Sequence, residues 1–303
     1  HTFSLNSRHS RRMTSVASLH YTRFHYNIHS FYQDNNLRVN SDISDIGFQH
    51  DFTYTLNAHH RIDKGVSVVR HKVVPNLIDS QGEIAELIPS DRGRVREMLE
   101  SALYGSWRFS KSDIATELGL RVSSAYQQNS LYINPEPRFS LRWQPTEAGV
   151  FKAAYSRMFQ YMNRVSSSSF ALPTDVWYPV TEQVKPQRAD QISLGYQHLL
   201  RQWDLLGSAD VYYKDMKNQI AFREGTNLTL NNDFEEALLQ GHGNSYGMEM
   251  LLRREPGQFR CWLAYTLSWS NRQFAELNRG RPFRARYDRR HNLSLVTNYS
   301  ATA

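Results

Sequence analysis

The chain has 303 residues, a formal net charge of +7 and a mean hydropathy of −0.61. It contains no run of about 18 consecutive apolar residues, which excludes an ordinary transmembrane helix. The single cysteine, Cys261, excludes an intrachain disulfide and any CxxC redox or zinc motif. The basic residues are spread over predicted turns and loops and form no continuous stripe, so we predict no nucleic-acid partner.

Short runs of alternating apolar and polar residues follow one another along the whole chain. In one of them, Phe52, Tyr54 and Leu56 alternate with Thr53 and Thr55. A period of two is typical of a β-strand with one apolar and one polar face. On this criterion we predict about 13 strands, at 3–8, 15–32, 48–58, 65–74, 101–109, 114–126, 137–143, 150–157, 191–199, 203–214, 245–254, 259–270 and 289–299.

Two of these strands have an aromatic residue near each end of the apolar face. In 203–214 the face runs from Trp203 to Tyr213, and in 259–270 from Phe259 to Trp269. Ten residues at about 3.4 Å each, tilted by ~45°, give about 24 Å of height. The apolar band of an outer-membrane barrel is about 25 Å tall, with aromatic girdles at both rims. Strands of soluble sheets are usually shorter, about five or six residues.

The predicted connections alternate in length along the chain. Short turns are predicted near 9–13, 59–64, 110–113, 144–149, 200–202 and 255–258. Long connections are predicted near 33–47, 75–100, 127–136, 158–189, 215–244 and 271–288. Outer-membrane barrels have short turns at the periplasmic end and longer loops at the extracellular end. In a soluble sandwich, nothing requires short and long connections to lie at opposite ends of the sheet.

These patterns predict an all-β fold in which residues 1–303 form one partial barrel domain. Lipid cannot satisfy backbone hydrogen bonds, so strands that cross a membrane must close into a barrel without edges. About 13 antiparallel strands, an odd number that starts and stops within strands, indicate a fragment of a larger transmembrane β-barrel. The basic residues then indicate a solvated, lumen-lining or lipopolysaccharide-facing surface.

Several stretches carry a family resemblance. They are PEPRFSLRW (135–143), FKAAYSRMFQY (151–161), PTDVWYPVTEQVKPQRADQISLGYQ (173–197), SADVYYKDMKNQI (208–220), SYGMEMLLRR (245–254), YTLSWSNRQF (265–274), NRGRPF (278–283) and DRRHNLSLV (288–296). In order and spacing they resemble the barrel domain of TonB-dependent outer-membrane receptors, especially the Bacteroidetes-type versions. A single motif such as YYK or DRRH is weak evidence for the family when it stands alone.

The resemblance implies a barrel of about 22 strands in the outer membrane of a Gram-negative cell, plugged by an N-terminal domain. Such a receptor imports a scarce nutrient (a siderophore, haem, cobalamin or an oligosaccharide) with energy supplied through the TonB complex. The implied partners are outer-membrane lipid and lipopolysaccharide, the receptor's own plug, the TonB complex and a small-molecule ligand. The plug and the energy-coupling box are absent from this chain. A passive porin and a soluble secreted all-β binding module are the alternative functions.

No catalytic or metal-binding motif is found, since GxGxxG, GxxxxGK[ST] and HExxH are all missing. We therefore predict no enzyme activity, no cofactor and no metal site. His59 and His60 are adjacent, but they fall in a predicted short turn, which favours a turn over a metal pair.

The remaining candidates are residues for ligand binding and for the lumen. Aromatic and cationic side chains in long connections suit sugars and anionic siderophores. The ligand candidates are Phe159, Tyr161, Phe170, Trp177, Tyr178, Phe222, Arg223, Arg281, Phe283 and Arg284. For Trp177, packing of the loop onto the barrel rim is the competing interpretation. Charged residues expected to face the lumen and hold the plug are Arg138, Arg142, Lys152, Asp204, Asp210, Lys214, Glu249 and Arg253.

Overall fold

The protein is built from antiparallel β-strands, seen here in a computed structural model that describes residues 1–87, 90, 95–165, 176–223, 235–255 and 257–301. The strands are β1 (Thr2–Arg8), β2 (Met13–Tyr32), β3 (Asn35–Thr55), β4 (His60–Gln81), β5 (Arg96–Lys111), β6 (Ile114–Gln127), β7 (Ser130–Trp143), β8 (Gly149–Gln160), β9 (Met162–Val165), β10 (Val176–Pro179), β11 (Gln187–Leu200), β12 (Leu205–Phe222), β13 (Leu238–Arg254), β14 (Phe259–Gln273), β15 (Phe283–Arg284) and β16 (His291–Tyr299). One short helix, α1 (Ile84–Leu87), and 3-10 turns at Arg201–Trp203 and Asn278–Gly280 complete the described elements.

Fourteen of these strands form one antiparallel sheet in which neighbours along the chain are neighbours in the sheet. β15 and β16 both pair with successive parts of β14, so the fourteen strands occupy thirteen positions. β9 and β10 form a separate hairpin, inserted between β8 and β11. The sheet confirms the predicted all-β fold and the predicted number of strand positions.

The sheet has one apolar and one polar face, as the alternation predicts. On the apolar face Leu194, Val211 and Met250 are all exposed, and they belong to neighbouring strands. Tyr246 stacks on Tyr213 and on Trp269, with ring centroids 6.5 and 5.2 Å apart. A continuous exposed apolar surface across so many strands is characteristic of contact with lipid.

The predicted alternation of short and long connections is wrong at two places. The stretches 33–47 and 127–136 are mostly strand, and the chain turns tightly at 33–34 and at 128–129. Gln33 and Gln128 take the positive φ values, 54° and 51°, that such tight turns require. Leu37 and Val39 in the first stretch, and Leu131 and Ile133 in the second, still alternate with polar residues. The run of polar residues at the start of each stretch made the whole of it resemble a connection.

Strands β2, β3 and β4 are much longer than the apolar band requires. They contain 20, 21 and 22 residues, and 22 residues extend about 70 Å. The hydrocarbon core of a bilayer is about 30 Å thick. These strands therefore project beyond the apolar band at the end of the sheet that also carries the long connections.

Candidate functional site

The polar face carries most of the predicted lumen residues. Arg142 lies opposite Lys152, which lies opposite Gly195, and the row continues through Asp210 and Glu249. A Cβ atom at Gly195 would lie 2.0 Å from Asp210 Oδ1, so the glycine makes room for the carboxylate. Across five strands the row places two cations beside each other and then two anions beside each other. Arg142, Lys152 and Asp210 line a hollow of about 590 Å³.

The other predicted lumen residues divide into two groups. Arg138 and Lys214 lie on the polar face in one shared row, two rows further along the strands, where Arg138 Nη2 is 3.6 Å from Glu136 Oε2. Arg253 lies at the end of β13 beside a short turn and forms an ion pair with Glu255 in that turn.

The prediction that Asp204 is a strand residue is wrong. β12 begins at Leu205, and Asp204 follows the 3-10 turn that ends at Trp203. Its φ of 49° is left-handed, a conformation that aspartate tolerates better than most residues. Asp204 therefore ends the tight turn between β11 and β12 and has no place in the strand alternation.

The sequence interpretation missed a second set of charges on the polar face, on β4 to β6. Arg108 lies 3.6 Å from Asp63 Oδ2 and 2.9 Å from Glu117 Oε2, and Arg61 lies 2.7 Å from Asp63 Oδ1. Asp63, Arg108 and Glu117 border a hollow of about 370 Å³ that Tyr104 also lines. The signal was present in the alternation for Arg108 and Glu117, which occupy polar-face positions of predicted strands, whereas Asp63 fell in the predicted turn at 59–64 and belongs to β4.

Tyr161 was predicted to bind ligand, and the structure buries it. Its side chain is 2% exposed and packs against Met98 and Val180. The hydroxyl hydrogen bonds with Ser123 Oγ at 2.7 Å and accepts one from Asn134 Nδ2 at 3.0 Å. Burial raises the pKa of the Tyr161 hydroxyl. The residue fastens the connection after β8 onto the ends of the neighbouring strands.

Tyr178 is likewise buried, at 1% exposed. Its hydroxyl donates to Glu235 Oε2 at 2.9 Å, and the Arg96 guanidinium lies over its ring, 4.6 Å from the centroid. Thr181 Oγ1 donates to the other oxygen of Glu235. Glu235 thus joins the connection between β8 and β11 to the connection between β12 and β13, and Tyr178 has no surface to offer a ligand.

The other aromatic candidates also contribute to packing. Phe159 packs against the cluster around Tyr161, and Phe222 packs against the cluster of Tyr178 and Val184. Phe283 stacks on the buried Phe274, with ring centroids 6.1 Å apart. Trp177 is partly buried within β10. Phe170 lies outside the described residues.

The three predicted arginines keep their charges near the surface. Arg223 is paired with Glu276 at 2.8 Å, with its side chain more than half exposed. Arg281 and Arg284 are exposed in the connection that follows β14. Among the ligand candidates, these cations therefore offer a polar surface at the long-connection end of the sheet.

Within the described ranges there is no group of three or more His, Cys, Asp or Glu side chains placed to hold a metal ion. No helix in the same part of the chain has the length and apolar content needed to span a bilayer.

The family model described as TonB dependent receptor-like, beta-barrel matches residues 1–302. The chain belongs to this family. TonB-dependent receptor barrels are outer-membrane proteins that act in transport, and the receptors interact with TonB, a plug and ligands. The large antiparallel sheet of the chain matches part of such a barrel. The Bacteroidetes-type assignment stays a prediction.

Solved structures of similar fold are also outer-membrane receptors or iron transporters. The ferripyoverdine receptor of Pseudomonas aeruginosa is 13% identical in sequence and has a TM-score of 0.63; the match covers 96% of this chain and 42% of the receptor chain. The ferric-catecholate import receptor Fiu of E. coli is 12% identical and has a TM-score of 0.64; the match covers 99% of this chain and 51% of the Fiu chain. The FrpB iron transporter of Neisseria meningitidis is 10% identical and has a TM-score of 0.64; the match covers 91% of this chain and 44% of the FrpB chain.

The chain spans about half or less of the length of these structures. At such low identity the likeness shows the fold alone. No curated protein sequence matches the chain.

Proposed function

We propose that this chain forms part of an outer-membrane receptor that imports a scarce nutrient with energy delivered through TonB. The observation that carries the proposal is the polar face, where charged rows such as Arg142, Lys152, Asp210 and Glu249 cross the sheet. In a closed barrel this face lines the lumen. The row presents a cationic patch, Arg142 and Lys152, and an anionic patch, Asp210 and Glu249. A folded polar domain with complementary charges pairs with both patches, whereas an open water-filled path leaves them solvated.

The plug of the receptor is the partner proposed for this face. Arg138, Arg142, Lys152, Asp210, Lys214 and Glu249 supply the contacts, and Arg253 supplies one near the short-turn rim. The apolar face contacts outer-membrane lipid, and basic residues at its upper rim meet the phosphates of lipopolysaccharide.

The ligand binds at the long-connection end of the barrel, above the plug. The buried Tyr161 and Tyr178 support this region from beneath. Phe159, Phe222 and Phe283 pack behind it, and the exposed cations Arg281 and Arg284, with Arg223, face the incoming nutrient. The candidate nutrients are a siderophore, haem, cobalamin and an oligosaccharide, and the solved structures of similar fold favour an iron chelate.

Energy dependence separates this function from passive transport. The full receptor carrying this barrel is expressed in iron-starved cells, and uptake is measured for labelled ferric chelates, haem, cobalamin and oligosaccharides. We expect uptake of one class, abolished by a protonophore and by loss of TonB. Uptake that continues without energy would identify a passive porin and overturn the proposal. A receptor that remains soluble without detergent would overturn the membrane barrel itself.

A further inference from the structure

The apolar face of the sheet has a hollow near its short-turn end. The hollow lies at Gly207 of β12, whose neighbours in the flanking strands are His198 and Leu252. Its volume is about 380 Å³, and its lining includes Leu200, Ala209, Met250, Leu252, Leu263 and Tyr265. Because the walls are largely hydrocarbon, the hollow suits a hydrocarbon chain and not a polar ligand.

The hollow is open because residue 207 has no side chain. A Cβ atom built at Gly207 would lie 3.5 Å from Leu252 Cδ2 and 3.9 Å from the His198 carbonyl oxygen, which are ordinary van der Waals distances. A larger side chain therefore fits at this position without moving the strands. The backbone does not require glycine here, and the space that the glycine leaves is available to an occupant.

Arg254 is the cation that borders this hollow. It lies on the apolar face at the end of β13, between Leu205 of β12 and Cys261 of β14. This row is the next one after the row of Gly207, towards the short turns, at a distance of about 7 Å along the strands. A positive charge thus lies directly beside an apolar hollow, on the same face.

The guanidinium of Arg254 is held in place without an acidic partner. Its Nε donates to the Trp203 carbonyl oxygen and its Nη1 to the Phe259 carbonyl oxygen, both at 3.3 Å. The neighbouring acid, Glu255, forms an ion pair with Arg253 instead. Among the residues that the structure describes, no carboxylate pairs with Arg254 and its Nη2 has no acceptor. Since a guanidinium carries five N–H groups, several remain for an anion.

Two exposed aromatic side chains mark the height of this charge in a membrane. Trp203 is 59% exposed and Phe259 is 44% exposed, and their backbone carbonyls hold Arg254. Tryptophan is enriched where the hydrocarbon of a bilayer meets the headgroups. Arg254 therefore lies at the level of lipid phosphates, and the hollow at Gly207 lies at the level of the acyl chains.

We propose that Arg254 and the hollow at Gly207 bind one anionic phospholipid of the periplasmic leaflet, with its phosphate on the guanidinium and an acyl chain in the hollow. This inference rests on the proposed function, which places the short turns on the periplasmic side. Arginine binds phosphate oxygens through two parallel hydrogen bonds. Dispersion contacts with the walls of the hollow hold the chain. Lipopolysaccharide is assigned to the opposite rim of the same face.

The test titrates the full receptor in detergent and counts bound lipids by native mass spectrometry. The probes are phosphatidylglycerol, which is anionic, phosphatidylcholine, which is zwitterionic, and water-soluble glycerol phosphate. We expect one phosphatidylglycerol to bind more tightly than phosphatidylcholine, and glycerol phosphate to leave it in place. Equal affinity for the two lipids would overturn the proposal. Displacement by glycerol phosphate would show a simple anion site and also overturn it.

Substitutions of Arg254 test the headgroup contact. Arg254→Gln should weaken binding of phosphatidylglycerol by about tenfold and abolish the preference over phosphatidylcholine, because a charged hydrogen bond is lost. Arg254→Lys keeps the charge and loses the paired geometry, so it should weaken binding less. Arg260→Gln, at an exposed position on the polar face of β14, is the matched control and should stay within about twofold. Equal losses in Arg254→Gln and Arg260→Gln would overturn the assignment.

Substitution of Gly207 tests the acyl-chain contact. Gly207→Leu fills the hollow and leaves Arg254 unchanged, so it should weaken binding several-fold through the lost contacts of the chain. Val211→Leu enlarges an exposed side chain of the same strand and face outside the hollow, and should leave binding unchanged. Unchanged binding in Gly207→Leu would overturn the role of the hollow.

Two further outcomes separate this inference from the function beneath it. Energy-dependent uptake by a receptor that shows no preference for phosphatidylglycerol overturns the inference and leaves the proposed function standing. Selective binding of phosphatidylglycerol at Arg254, without any energy-dependent uptake, overturns the proposed import and leaves the lipid site standing.

Discussion

Tyr161 shows how one side chain fixes the position of a long connection. Its ring lies in an apolar cluster with Met98, Ala125 and Val180, while its hydroxyl reaches the polar face at Ser123. The Ser123 hydroxyl also donates a hydrogen bond to Glu136 Oε1. A buried hydroxyl that satisfies its hydrogen bonds contributes modest stability, but leaving its partners unsatisfied is costly.

The Tyr161→Phe variant isolates the hydroxyl, because the ring and its packing stay in place. We expect the free energy of unfolding to fall by about 1–2 kcal/mol, since the buried Ser123 and the half-buried Asn134 each lose a hydrogen-bond partner. Urea unfolding in detergent measures it. Tyr126, exposed on the apolar face, is the control, and Tyr126→Phe should change stability by less than about 0.5 kcal/mol. Equal effects of the two variants would refute the account of Tyr161.

At this scale the alternation of residues predicts a side chain's face and leaves its partners unknown. Asp210 and Glu249 were placed correctly on the polar face, because a strand's period of two decides that without tertiary information. Tyr161 and Tyr178 lie in irregular connections, where no period applies. Their burial depends on contacts with Ser123 and Glu235, which are distant in sequence.

At the scale of elements, Glu235 connects two long connections. Its carboxylate accepts hydrogen bonds from Tyr178 and Thr181, and Arg96 of β5 lies 3.9 Å away. The shared anion therefore holds the connection between β8 and β11 against the one between β12 and β13. Docked connections of this kind keep the long-connection end of the sheet in one arrangement.

Neutralising that carboxylate should loosen both connections. We expect Glu235→Gln to speed limited proteolysis within residues 161–186 by several-fold, because the amide loses the charge that attracts Arg96 and presents only one acceptor oxygen. Its neighbour Glu236 is exposed, and Glu236→Gln makes the same chemical change as a control. Unchanged cleavage in Glu235→Gln would show that the connections dock without this contact.

The strands were predictable from the sequence where they have an apolar face, and less predictable where they extend past the apolar band. The strand at 259–270 agrees with β14 to within a few residues. The half of β3 from Asn35 to Gly47 was taken for a connection, because its first residues and the turn before it are polar. Short β9 and β10 carry too few residues for a period to show.

At the scale of the whole molecule, thirteen strand positions in chain order separate an apolar from a polar surface. Composition and alternation predicted this architecture, since a membrane imposes it directly on the sequence. The chemistry of the long-connection end was not predictable to the same degree. It depends on which loops fold together, and the alternation of residues does not encode that packing.

The central claim is that the apolar face contacts lipid and the polar face encloses a lumen. Spin labels placed singly along β12, at Asp210, Val211, Tyr212 and Tyr213, test it in vesicles after the native cysteine is removed by Cys261→Ser. Paramagnetic relaxation by oxygen reports contact with lipid, and relaxation by a water-soluble nickel chelate reports contact with water. We predict strong oxygen relaxation at 211 and 213 and weak oxygen relaxation at 210 and 212. Equal nickel relaxation at all four positions, or the opposite alternation, would contradict the account.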